Sequence, residues 1–224
     1  MTKPPNVFSI MLGVAALLVV AFSTIGPAAE KVFPSPAEAF DAARKASDKS
    51  DVRGWFQCLT DGSRDLITAQ NVVVLAEIRK KFGTLGGPQG KAIARDIDQV
   101  LFKHGLKDEY LEKFQGKADV LIDPRAAMED RLEFARAFGA PVRDRLSLAV
   151  DAQKTMFEHV ERSPMDLFRG GQLKDVSLSG ETAKGVLVVE KGNVMPLSFR
   201  KQGDSWRVDV ISSAPPPQMP FDPH

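Results

Sequence analysis

An α+β fold is the class this sequence predicts, with N-terminal and central helices packed on a C-terminal antiparallel β-meander of about four strands. Three observations predict it. Apolar residues recur at helical spacing from Ala39 to Val160. After Ser163 the period drops to two, in short runs rich in Val, Leu and Phe. Those runs are divided by Ser179-Gly180-Glu181, Lys191-Gly192-Asn193 and Gln202-Gly203-Asp204, which are turn-forming residues. A strand of period two has one face to cover and one to give to water, and the preceding helices are the cover at hand.

The elements follow in order. Ser35-Pro36-Ala37-Glu38 is a helix start: Ser caps, Pro suits the first helical position, and Glu three residues after the cap closes a capping box. Ala39, Ala43 and Ala46, with Phe40, carry that helix to about Ala46. Asp51 opens a short helix bearing Trp55, Phe56 and Leu59. Thr60 caps a third, whose stripe of Leu66, Ile67, Val72, Val73, Leu75, Ala76 and Ile78 runs out by Gly83. Residues 83–90 read as a flexible connector. Their glycines ahead of Lys91 do not make a phosphate loop: the motif's first glycine falls on Leu85, Ala92 stands where Ser or Thr is needed, and no strand precedes.

Helical spacing resumes with Ile93, Ile97, Val100 and Leu101 and closes at His104-Gly105. A short helix at 106–114 and a break at 121–124 follow. Two longer helices come next, 125–138 and 142–161, divided near Gly139-Ala140-Pro141. The second buries Leu146, Leu148, Ala149, Ala152, Met156, Phe157 and Val160. The strands are 173–178, 183–190, 195–201 and 206–211. Leu197 and Phe199 alternate with Ser198 and Arg200, and Trp206, Val208 and Val210 with Arg207 and Asp209, so the second set is expected to face water.

Three segments organise the 224 residues. Residues 1–29 place Lys3 ahead of an uncharged apolar run at 7–22, the form of a secretory signal; small residues at Ala21 and Ser23, or Gly26 and Ala28, offer cleavage sites. The uncharged run to Gly26 also reaches the roughly 20 residues that cross a bilayer, so the alternative is an uncleaved N-terminal anchor. No Cys follows the run, which disfavours a lipid anchor. Residues 30–212 are one α+β domain, with 84–162 as a helical elaboration. Residues 213–224 are a proline-rich flexible tail. An exported protein, periplasmic or extracellular, is the expectation.

Removing the first segment takes one base and no acid from the 30 bases and 29 acids, which leaves the two in balance. A neutral protein has no field to steer it onto nucleic acid, or onto an anionic membrane beyond what the N-terminal segment reaches. Cys58 is the sole cysteine, so no internal disulfide forms, and its apolar setting suits a buried thiol without a base. His104, His159 and His224 each lack a His or Cys neighbour at ligand spacing, so no metal or cofactor is expected. Asp96 and Asp98, Asp108 and Glu109, and Glu129 and Asp130 lie on amphipathic helices, where paired acids face water unless burial splits their pKa values. Trp55, Phe56 and Trp206 meet between helices and sheet, as core or, with His159, as the wall of a ligand pocket.

Two stretches carry a resemblance. The first is the opening, 36–43, Asp51-Val52-Arg53-Gly54-Trp55-Phe56 and Leu59-Thr60-Asp61-Gly62-Ser63-Arg64-Asp65. The second is the pair of closing hairpins from Gly180-Glu181-Thr182-Ala183 to Gly203-Asp204-Ser205-Trp206-Arg207-Val208. Together they resemble the nuclear-transport-factor-2-like superfamily, the cystatin-like cone also used by ketosteroid isomerases, over residues 35–67 and 173–211. The resemblance implies a curved sheet with helices on its concave side and room for a pocket; it implies no activity, since that fold hosts catalysts and binders alike. Isomerases on this cone use an acidic base facing a tyrosine or second acid, and Tyr110, the only tyrosine, lies in the extra helical region. The expectation is an exported, non-enzymatic domain binding a small ligand or a cell-envelope partner. The rivals are a hydrolase or isomerase whose acid and histidine meet only in three dimensions, and a structural envelope protein without a pocket.

Overall fold

Ser35 caps the first helix, α1 (Pro36–Asp48): its Oγ accepts the Glu38 amide at 3.2 Å and donates to the Glu38 carboxylate at 3.3 Å. The box thus closes through the serine hydroxyl. These coordinates are a computed structural model that describes residues 31–85, 87–114, 116–123, 126–159, 164–189 and 193–212. The N-terminal signal or anchor segment and the proline-rich tail lie outside the described residues. Asp51 caps α2 (Val52–Gln57) by accepting the Gly54 amide at 2.9 Å. Thr60 caps α3 (Asp61–Leu85) by accepting the Ser63 amide at 3.3 Å. Each cap satisfies a backbone donor that the first turn of a helix leaves without a partner.

The expected connector at 83–90 is helical instead at residues 83–85 and 87–90. α3 continues to Leu85 and α4 (Gly87–Lys103) begins two residues later. Gly87 has φ 52°, a conformation that favours glycine, and Pro88 sits in the first turn, where its missing N–H costs nothing. Gly90 is buried, and a Cβ there would stand 2.9 Å from the Phe82 carbonyl oxygen. Gly90 therefore serves the close approach of α3 and α4. Gly105, with φ 77°, ends the α4 segment as read from the sequence.

Four helices follow: α5 (Asp108–Glu112), α6 (Asp119–Ile122), α7 (Met128–Gly139) and α8 (Arg145–His159). The expected break at 121–124 is corrected in part, because Leu121 is fully buried on the one-turn helix α6. Its carbonyl accepts from Gln70 Nε2 and from Arg131, which ties that turn to α3 and α7. A 3₁₀ turn (Pro164–Phe168) leads into the sheet.

The sheet is the expected meander: β1 (Gln172–Ser179), β2 (Thr182–Val188), β3 (Val194–Gln202) and β4 (Ser205–Asp209), antiparallel and in the order β1-β2-β3-β4. This is an α+β fold. Gly180 and Gly203 both take φ 59° at the hairpin turns, where a side chain would strain the backbone.

One expectation about the sheet fails. Arg207 and Asp209 do not face water, nor does Ser198, which is buried on β3; β4 is buried on both faces. The reason is the chain ahead of α3, which folds back over this strand. Leu59 forms a parallel bridge to Val208, with Thr60 N donating to Val208 O at 2.9 Å and Val208 N to Cys58 O at 2.8 Å. Trp206 N donates to Phe33 O at 2.8 Å. The Arg207 guanidinium lies over the Phe33 ring, 5.2 Å from its centroid, and donates to the carbonyls of Gln57 and Lys31. A buried charge stays favourable when its donors are taken up in this way.

Two apolar clusters result. One lies between α1, α2 and the sheet and holds Phe40, Trp55, Phe56, Leu59, Phe199 and Val208. The other lies within the helical half and holds Val72, Leu75, Ile97, Leu101, Phe138 and Leu148. Both α3 and α8 serve both clusters, through Ile67 against Val72 and through Ala149 against Leu148. The central helices α4 to α7 thus build a second core on the far side of α3 and α8. Each large side chain fully removed from water there contributes about 1.5–3 kcal/mol.

Candidate functional site

The described residues form a cleft whose lining is mostly apolar. It lies in the helical half, where α3, α5 and the end of α7 meet, and encloses about 330 Å³. Helical spacing on α3 sets Val73, Ala76, Glu77 and Lys80 on one side, because residues three and four apart share a face. Leu111, Phe114 and Phe138 complete the floor. Phe114 packs edge-on against Phe134 and Phe138, with ring centroids 5.4 and 5.1 Å away, so its own ring is held in a fixed pose.

Tyr110 ties two elements of the cleft together. Its hydroxyl donates to the Phe138 carbonyl at 2.7 Å and lies 3.2 Å from that of Ala137, which fastens α5 to the end of α7. Burial holds its phenol above the usual tyrosine range. The rim is charged. Arg79 lies 2.6 Å from the Asp108 carboxylate and 3.0 Å from that of Asp98. Burial works against its charge, but the bonds to Asp108 and Asp98 outweigh that and hold the guanidinium above its ordinary value. Glu77, Lys80 and Glu112 complete the rim. An apolar floor of this size with a few polar groups at the mouth is the usual make-up of a small-ligand site.

The sequence singled out other residues as a pocket wall. Trp55 and Phe56 are fully buried in the sheet-side core, and Trp206 is nearly so. Trp55 stacks edge-on against Phe56 and Phe168. Its Nε1 is buried without a hydrogen-bond partner. None of these three lines the cleft just described. His159 is the last residue of α8, and its side chain lies outside the described set. The cleft residues were not legible beforehand: Val73, Leu111 and Phe138 come from three helices with no common spacing. The only sequence signal is the aromatic content of 110–138.

Two further groups of ionisable residues are structural in their geometry. Asp65 and Arg145 face one another across a small cleft of about 170 Å³ between α3 and α8, with both Asp65 oxygens within 3.2 Å of one Arg145 nitrogen. Burial raises the Asp65 carboxyl above its usual value, and the pull of Arg145 does not offset it. The pair ties α3 to α8. At the end of α4, Asp151 Oδ2 receives Lys103 Nζ and faces His104 Nε2, both at 2.7 Å. Burial works to raise the Asp151 carboxyl, but the bonds from Lys103 and His104 outweigh it and hold the group below its usual range. The arrangement fastens α4 to α8. Cys58 is buried, its Sγ donates to the Gly54 carbonyl, and burial pushes its thiol up to about 12. Such a thiol is no nucleophile.

Among the described residues, no group of three or more His, Cys, Asp or Glu is placed to hold a metal ion. No described helix is long and apolar enough to cross a membrane. Comparison with protein-family models, with curated proteins and with solved structures found no match to this chain.

Proposed function

We propose that this chain is a non-enzymatic binding domain that holds a small apolar-bodied ligand in the cleft between α3, α5 and α7. One observation carries the reading: the 330 Å³ space with Phe114, Phe138, Leu111, Val73 and Ala76 on its floor and charged groups confined to its mouth. That volume lies at the small end of ligand sites, which run from about 300 to 1,000 Å³. Catalysis is disfavoured because Asp108 and the neighbouring Asp98 are engaged by Arg79, Glu77 and Glu112 are exposed, and the residues lining the cleft include no His or Cys. Kinship with the nuclear-transport-factor-2-like superfamily is part of the proposal. It is supported by the step from Leu59 to Asp65 and by the closing hairpins, which meet at β4. Export, with the segment at 1–29 cleaved or kept as an anchor, is supported by Lys3 and the apolar run behind it. On that reading the ligand is met in the cell envelope or outside the cell.

The test uses N-phenyl-1-naphthylamine, a neutral apolar fluorophore small enough for the cleft. Saturable brightening with the full chain, abolished by Ala76→Phe while the melting temperature stays within a few degrees, supports the reading. Brightening that does not saturate, or that Ala76→Phe leaves intact, ends it.

A further inference from the structure

We infer that the ligand class of this cleft is a monocation with an apolar body, an alkyl- or arylalkylammonium. The inference rests on the reading of the cleft as a binding site and adds the chemistry of its mouth. Among the lining residues three carboxylates, Glu77, Asp108 and Glu112, stand against two cations, Arg79 and Lys80. Arg79 is moreover shared between Asp108 and Asp98, so its single charge is already matched twice over by the acids it touches. Lys80 is exposed and solvated at the outer edge. Glu77 and Glu112 are exposed, one on α3 and one on α5, on opposite walls of the opening.

Over its lining residues the cleft thus carries one more negative charge than positive, although the protein as a whole is close to neutral. The floor agrees with the mouth. Phe114, Leu111 and Phe138 line the cleft away from the carboxylates and offer the ligand's hydrocarbon body an apolar surface. An anionic ligand would set its charged end against the carboxylates of the mouth. A neutral one would gain the apolar contact only.

Three probes with one hydrocarbon body decide the matter: 4-phenylbutylammonium, 4-phenylbutan-1-ol and 4-phenylbutyrate. Each is titrated against the full chain by displacement of N-phenyl-1-naphthylamine and by calorimetry. The ammonium is expected to bind about tenfold more tightly than the alcohol, a gap of about 1.4 kcal/mol, and the carboxylate more weakly than either. Glu77→Gln combined with Glu112→Gln should shrink the ammonium's advantage over the alcohol to about twofold. Both positions are on the surface, so folding is not at stake. Equal binding of alcohol and ammonium, or tighter binding of the carboxylate, overturns the charge inference while the cleft itself stands. Displacement of the fluorophore by none of the three overturns it as well. If the fluorophore itself fails to bind, the cleft reading falls and this inference with it.

Discussion

Ser63 and Asp209 meet across 146 residues of chain, the Ser63 hydroxyl donating to Asp209 Oδ1 at 3.3 Å in a buried setting. The same oxygen of Ser63 accepts from the Thr60 hydroxyl at 2.8 Å and from the Val210 amide at 3.1 Å. One serine in the first turn of α3 thus closes the helix cap, holds the end of β4 and satisfies a buried carboxylate. The neighbouring Arg64 Nε donates to the Leu59 carbonyl. The Leu-Thr-x-x-Ser-Arg-Asp step is therefore a joint between helices and sheet, and each of its polar residues has a structural task.

Removing that hydroxyl leaves the part-buried Val210 amide without its acceptor and the buried Asp209 carboxylate with one donor fewer. Ser63→Ala should lower stability by about 1–3 kcal/mol, read as a shift in the urea midpoint with an unchanged slope. Ser179→Ala, on the exposed end of β1, serves as control and should be neutral. Equal midpoints for the two variants would show that the joint contributes nothing.

Asp65 and Asp151 are each bonded to cations, yet they are shifted in opposite directions, and stability should reveal it. Asp65 has a raised folded-state value, so its contribution is fully present below the ordinary carboxylate value and is lost as pH rises through the folded one. Asp65→Asn should therefore stabilise near neutral pH and lose that gain in acid. Asp151 is lowered, so its contribution is present above the ordinary value and is lost as pH falls through the folded one. Asp151→Asn should cost about 1–2 kcal/mol near neutral pH and little in acid. Urea titrations of both variants across the acid range check the two signs.

The thiol of Cys58 provides a direct probe of opening. Its desolvation, opposed only in part by Arg207 and Lys31, keeps it protonated at any ordinary pH. A thiol reagent should leave the folded protein unlabelled over hours and label it fully in denaturant. Rapid labelling of the folded chain would mean that the bridge between Leu59 and Val208 opens readily.

The meander was legible because each hairpin advertises itself locally, with a glycine at the turn and period two on either side, as at Gly203 between Gln202 and Trp206. Helix starts were legible for the same reason: Ser35, Asp51 and Thr60 act on amides no more than three residues away. What failed depended on distant chain. Arg207 and Asp209 alternate with Trp206 and Val208 as solvent-facing residues do. They are buried because residues 31–33 and 57–63 return over β4, and no local pattern announces that return. The candidate cleft was illegible on the same grounds. Its walls are more than sixty residues apart between Val73 and Phe138, and its apolar residues look like ordinary core positions on three separate helices.

Gly83 and Gly90 offer the sharpest contrast left by the misread connector. Both are helical, both were read as flexible, and their surroundings differ. A Cβ on Gly83 would meet nothing within 4 Å, near the end of α3. Gly83→Ala should therefore stabilise by about 0.5–1 kcal/mol, because alanine loses less backbone entropy on entering a helix and fits without strain. A Cβ on Gly90 would press on the Phe82 carbonyl at 2.9 Å and on the Phe82 ring at 3.3 Å. The carbonyl belongs to the backbone of α3 and cannot swing away, so the two helices must part. Gly90→Ala should cost about 1–3 kcal/mol, against the sign that helix propensity alone would give. Thermal melts of the two variants, run side by side, read both signs. If both substitutions stabilise, α3 and α4 do not approach at Gly90, and residues 83–90 behave as the loose connector that their composition suggests.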